Sequence, residues 1–166
     1  MIEVSRSLPH GHVAAVLGTI RELGLEELID PAPSRPRDLV TAMTAAAVID
    51  GSSKLATARG LRAETAASSL GSPLGLQACD EDDLYAAMDW LLPRQQAIED
   101  ALAARHLHEG TLVLYDVPSA ASGGRTGPLG QIGHARDGVR GRLQIVYGVL
   151  TSTQGILCCP NTRFRS

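Results

Sequence analysis

The sequence predicts an α+β chain, helical to about Gly110 and strand-bearing beyond it. Three observations carry that expectation. Apolar residues recur at helical spacing through the first two thirds, punctuated by Ser, Pro and Gly. The period changes at Thr111, where TLVLYDV follows Gly110. A second apolar run, RLQIVYGVLT from Arg142 to Thr151, is rich in β-branched residues.

Residues 1–10 read as a loose arm. Val13, Leu17, Ile20, Leu23 and Leu28 then mark a helix, weakened at Gly18 and Gly24. DPAPSRP, from Asp30 to Pro36, breaks the chain, and Ser34 with Pro36 can open a new helix. Leu39, Val40, Met43, Ala47 and Val48 give that helix an apolar side, and Gly51 stops it. SKLATARGL and AETAASSLG read as two short helices ending at Gly60 and Gly71. DEDDLYAAMDWLL is the strongest helical signal: Asp80 caps it, and Leu84, Met88 and Leu91 form its stripe. Pro93 forces a kink or restart, after which Ile98, Ala101, Leu102 and Arg105 continue one face to Gly110. Beyond the TLVLYDV strand, Pro118 to Gly141 is glycine-rich with little periodicity and reads as loop. After the second strand, Thr153 to Gly155 can turn the chain back into ILCC. The expected division is therefore 1–110 and 111–166.

The chain has 166 residues, 44% of them hydrophobic, but only one Trp, three Tyr and one Phe. Its core must be built from Ala, Leu, Val and Ile, each burying modest area. Fourteen of the 15 basic residues are arginine, and Lys54 is the single lysine. A GC-rich coding sequence explains that bias without invoking function. Charge is unevenly placed: residues 1–124 hold nine basic and 17 acidic side chains, whereas 125–166 hold six arginines and one aspartate. A basic end on an acidic body is compatible with a polyanionic partner and is also common on ordinary surfaces. Cys79, Cys158 and Cys159 form neither a disulfide framework nor a C-x2-C metal spacing. There is no signal peptide and no apolar run of bilayer length, so a cytoplasmic protein with no membrane contact is expected.

Asp116 is the residue that raises a chemical question. On a strand, Leu112, Leu114 and Asp116 share a face, and an ionised carboxylate in apolar surroundings is costly unless paired or metal-bound. Either the strand ends at Tyr115 and Asp116 opens a polar loop, or a carboxylate stands at a sheet mouth ready to hold a cation. A D-x-D pair is ruled out by Pro118, and GGRTGPLG lacks the lysine of a phosphate-binding loop. Arg136, Arg140 and Arg142 form a spaced basic set, with Arg125 ahead of them: a solvated surface, or contacts to phosphates. His134 lies in the polar turn HARDG, where a histidine is usually just exposed. His106 and His108 complement a helix C-terminus better than they make a metal site.

The segments SLPHGHVAAVLGTIRELGL, RDLVTAM, SKLATARGL, ASSLG, DEDDLYAAMDWLL, GTLVLYDV and GHARDGVRGRLQIVYGVLT run in order through nearly all of residues 5–155. Together they resemble the N-terminal part of an insertion-sequence DDE transposase. The resemblance implies that LVLYDV is the first strand of an RNase H-like sheet and that Asp116 is the first of the catalytic carboxylates. It implies Mg²⁺ as the cofactor held by those carboxylates, for cleavage and joining of DNA ends. The helical region would then engage transposon-end DNA or a second subunit, either another copy or an intact transposase. Arg125, Arg136, Arg140 and Arg142 would be the DNA-binding set. The family pattern continues after Y-D-V with Thr-Ser, an aromatic pair and Glu-Gly, whereas this chain has Pro118-Ser119-Ala120-Ala121-Ser122-Gly123-Gly124. Similarity fades after Gly155, and the chain closes on ILCCPNTRFRS. The expectation is a transposase fragment truncated before the second catalytic aspartate, by a frameshift or an early stop, and inactive alone. The alternatives are a non-catalytic DNA-binding or regulatory fragment that competes with intact transposase, and a translated pseudogene without a role.

Overall fold

The computed structural model describes residues 6–107 in full. Beyond them it describes residues 141–142 and the backbone of six strands, with the side chains of Ile132, Gly141, Arg142 and Leu143 only. The chain divides into two compact units, Met1–Gln96 and Ala97–Ser166.

The first unit is a small helical body. Helix α1, Gly11–Glu22, buries Val13, Leu17 and Ile20 on one stripe. It ends where Gly24 takes φ 66°, a left-handed turn that glycine adopts without strain, and the short α2 follows at Leu25–Ile29. Helix α3, Arg35–Ile49, opens as the sequence predicts: the Ser34 hydroxyl accepts from the Arg37 N–H, and proline occupies the first turn. Its buried side comprises Leu39, Val40, Thr41, Ala42 and Ala45, with Arg37. Ala47 and Val48, expected on that side, are exposed, Val48 at 68%. Helix α4, Lys54–Leu61, is capped by Ser53 and runs through Gly60 rather than stopping there. Helix α5, Glu81–Leu91, starts in a capping box between Asp80 and Asp83. It buries Leu84 and Ala87, while Met88 faces solvent.

Residues 62–79 form turns, not the second short helix that AETAASSLG predicts. Hydroxyls compete with helical bonding there: Thr65 Oγ1 donates to the Arg59 carbonyl at 2.6 Å, and Ser68 Oγ accepts from the Leu70 N–H. The segment nevertheless supplies Leu70, Leu74, Leu76 and Cys79 to the core, beside Val13, Leu39, Leu61 and Leu84. Nor are residues 6–10 a loose arm. The Arg6 guanidinium donates to the carbonyls of Ala63, Glu64 and Ala66 at 2.7, 3.0 and 2.5 Å. Ser69 N–H bonds to the Pro9 carbonyl, and the Ser69 hydroxyl shares a 2.7 Å hydrogen bond with His10 Nδ1. One arginine thus satisfies carbonyls of an irregular segment that no regular element could pair.

A 3-10 turn at Leu92–Arg94 holds Pro93, and α6 restarts at Gln95–His106. No residue of α6 is fully buried.

In the second unit the strands are short: β1 Val113–Asp116, β2 Ser119–Ala121, β3 Gln131–Ile132, β4 Leu143–Val146, β5 Gly148–Ser152 and β6 Leu157–Asn161. They fall into two antiparallel groups, ordered β1-β5-β6 and β2-β4-β3. β2 and β3 lie inside the glycine-rich stretch read as loop. The expected α+β class with an RNase H-like sheet is corrected here. Of the residues whose side chains are described, 62% are helical and 2% lie in strands. Among the described residues the packed core is built by the helices and the 62–79 turns, and the strands fall into two separate groups rather than one sheet. The physical reason is size: strands of two to five residues, interrupted by glycines, offer little surface for a common apolar face.

Candidate nucleic-acid interface

Asp116 is the last residue of β1 and stands opposite Val149 in the β1–β5 register. Its side chain lies outside the described residues. So do Arg125, Arg136 and Arg140, and with them His108 and His134. Arg142 is exposed at the bend before β4. The described residues therefore do not bring the four arginines together with Asp116.

The metal reading meets a shortage of ligands. Among the described residues no group of three or more His, Cys, Asp or Glu could hold a metal ion. From Thr111 onward the sequence offers Asp116 and Asp137 as its only carboxylates. Mg²⁺ wants six oxygens and keeps several waters, yet two-metal phosphoryl transfer still needs several carboxylates placed together. Two carboxylates in residues 111–166 do not make the donor set of a pair of Mg²⁺ ions, and no step through the metal follows from them.

The helical body carries a different feature, its cation placement. Arg21 pairs with Glu26 at 3.6 Å, Arg35 with Asp83 at 3.0 Å and Arg94 with Asp30 at 3.5 Å. Arg94 also lies 3.8 Å over the Trp90 ring and donates to the Trp90 carbonyl. Arg62 Nε donates to the Cys79 carbonyl at 2.8 Å, and Arg37, 8% exposed, donates to the Asp30 carbonyl. Arg37 Nε and Thr41 Oγ1, one turn apart on α3, are buried with no partner among the described residues, which is the usual signature of an internal water. Six of the seven arginines in residues 6–96 are thus engaged by carboxylates, backbone carbonyls or burial. A sequence count of basic residues cannot separate these classes, because each pairing spans elements.

A cleft of about 280 Å³ opens between the α1 start, the α3 end, α4 and the 67–70 turn. His12, Asp50, Ser52, Thr57 and Ser68 are its polar lining, set among Ala46, Ile49, Leu61 and other apolar walls. The sequence reading missed this cleft, since its walls come from segments up to about sixty positions apart.

No helix among the described residues is long and apolar enough to cross a membrane. No family model matches the chain, and neither curated proteins nor solved structures show a significant match.

Proposed function

We propose that this chain is the N-terminal part of an insertion-sequence DDE transposase, acting on DNA by binding rather than by cleavage. The observation that carries the reading is the ordered resemblance of the segments from SLPHGHVAAVLG to RLQIVYGVLT, nearly all of residues 5–155. The +5 balance of residues 125–166 supports a polyanionic partner. In this reading Asp116 is the first metal-binding carboxylate of the family, and Mg²⁺ would supply charge stabilisation to phosphoryl transfer where the full carboxylate set is present. The helical body engages transposon-end DNA or a second subunit, and Arg125, Arg136, Arg140 and Arg142 contact phosphates. The alternative reading is a non-catalytic regulatory fragment that competes with intact transposase for those ends.

Competition binding tests the proposal. The purified chain is titrated onto labelled duplex taken from the DNA flanking its gene, against unlabelled duplex of the same composition in shuffled order. A preference for the flanking sequence of tenfold or more, about 1.4 kcal/mol, is the expected result. Equal competition, or no binding to either duplex, contradicts the reading.

A further inference from the structure

We propose that residues Arg6–His10 are a releasable strap, whose Arg6 guanidinium fills a seat made by the carbonyls of Ala63, Glu64 and Ala66 and so holds one wall of the cleft in place. The ligand class of that seat is a guanidinium group, supplied here by the same chain. The strap stands whether or not the chain binds DNA.

The turn under the strap is tied to the core at both ends and only thinly between them. Leu61 and Leu70 are core residues, and Gly71 lies directly against the Leu61 carbonyl. From Arg62 to Ser69 only Ala66 is buried. Local backbone bonds include Thr65 N–H to the Arg62 carbonyl at 3.3 Å and Ala63 N–H to the Gln77 carbonyl at 3.1 Å. Arg6 adds the rest: Nη1 donates to the Ala63 and Glu64 carbonyls, and Nη2 donates to Ala66. Two nitrogens of one planar fork thus meet three oxygens drawn from four consecutive residues. A guanidinium presents donors in that fixed plane, whereas an ammonium is a compact point charge. Farther along, the Pro9 carbonyl accepts from the Ser69 N–H at 3.1 Å, and His10 Nδ1 shares a hydrogen bond with Ser69 Oγ.

The strap itself puts nothing into the core. Arg6, Ser7, Pro9 and His10 are exposed and Leu8 is half-buried, while the core at this end begins at Val13. A segment held by surface hydrogen bonds, without buried apolar area, opens at lower free energy than the body beneath it. Its release frees 63–69 while the helices stay packed. The cleft meets the strap contact on two sides. Ala67, Ser68 and Leu70 line it from the turn, and His12 lines it from α1, two residues beyond His10. Ser69, bonded to both Pro9 and His10, stands between Ser68 and Leu70. Seating Arg6 fixes that wall, and unseating it loosens the wall.

Native-state hydrogen–deuterium exchange in low urea tests this on the full chain. The slope of exchange free energy against urea measures the surface that each opening exposes. In the wild type, amides of 65–70 are expected to exchange at least about tenfold faster than those of α3, and with a slope near zero. Arg6→Ala is expected to speed exchange at 65–70 by about tenfold again, with circular dichroism showing the helices intact. Ethylguanidinium below denaturing strength is expected to restore protection in that variant, whereas propylammonium, with the same charge and no fork, does not. The wild type in each additive is the reference. Exchange at 65–70 that matches α3 in rate and urea slope overturns the strap, because the turn then opens only with the whole body. Unchanged exchange in Arg6→Ala overturns it too, and so does loss of the helical fold in that variant. Rescue by neither cation, or equally by both, overturns the guanidinium seat.

Discussion

Gly71 lies where the irregular 62–79 segment crosses the end of α4, and a Cβ placed on it would overlap the Leu61 carbonyl. Backbone, not a movable side chain, fills that space, so Gly71→Ala is expected to destabilise the body by about 1–3 kcal/mol. Thermal denaturation measures this, and an unchanged melting temperature would show that Leu61 and Gly71 are not packed as described. Read as the stop of a short helix, Gly71 was visible in the sequence but for a different reason, because close approach of two distant backbones leaves no local trace. Cys79 is a second residue with a measurable consequence. It is 1% exposed, and burial pushes its thiol above the ordinary 9.0, with Asp83 adding and Arg35 and Arg62 opposing. The folded pKa is the raised one. Its contribution to stability is therefore fully present below pH 9.0 and is lost as pH rises from there through the folded value. Denaturant melts at alkaline pH should fall more steeply for the wild type than for Cys79→Ala, and identical slopes would contradict the buried thiol.

At the scale of elements, the caps were the most legible part of the sequence. Ser34 and Asp80, and likewise Ser53, which the sequence analysis did not single out, act on N–H groups within three residues of themselves, so no tertiary context is needed to find them. The Asp80 carboxylate accepts from the Asp83 N–H at 3.0 Å, and Asp83 returns the bond to the Asp80 N–H. Asp80→Ala should cost about 1 kcal/mol and Asp80→Asn only a few tenths, read from chemical denaturation; equal losses would mean that the charge matters more than the cap bond. Helix faces were less legible. On α5 the sequence pattern favoured Met88 over Ala87, because hydrophobicity weighs a large apolar residue above a small one. The structure buries Ala87 and leaves Met88 43% exposed, since close approach to α3 and α4 rewards a small side chain. The second short helix failed for the opposite reason: its apolar spacing was adequate, but serine and threonine hydroxyls and tertiary packing drew the backbone into turns.

For the whole molecule, the period change at Thr111 marked a change of structure, but the sheet inferred from family resemblance is replaced by a helical body and two separate groups of short strands. A resemblance transmits a strand order only where the strands bury a common face, and that depends on contacts no single motif encodes. The interface was half legible. Net charge pointed to the arginines after residue 124, while the engagement of Arg21, Arg35 and Arg94 by carboxylates emerges only from the structure. Binding to DNA without cleavage remains a proposal, and one reaction tests both parts. End-labelled duplex from the gene's flanks is incubated with the chain and Mg²⁺ or Mn²⁺, and the mixture is resolved on native and denaturing gels together. A shifted band on the first and intact strands on the second are expected. An unshifted duplex, or cleavage that disappears in Asp116→Ala, would contradict it.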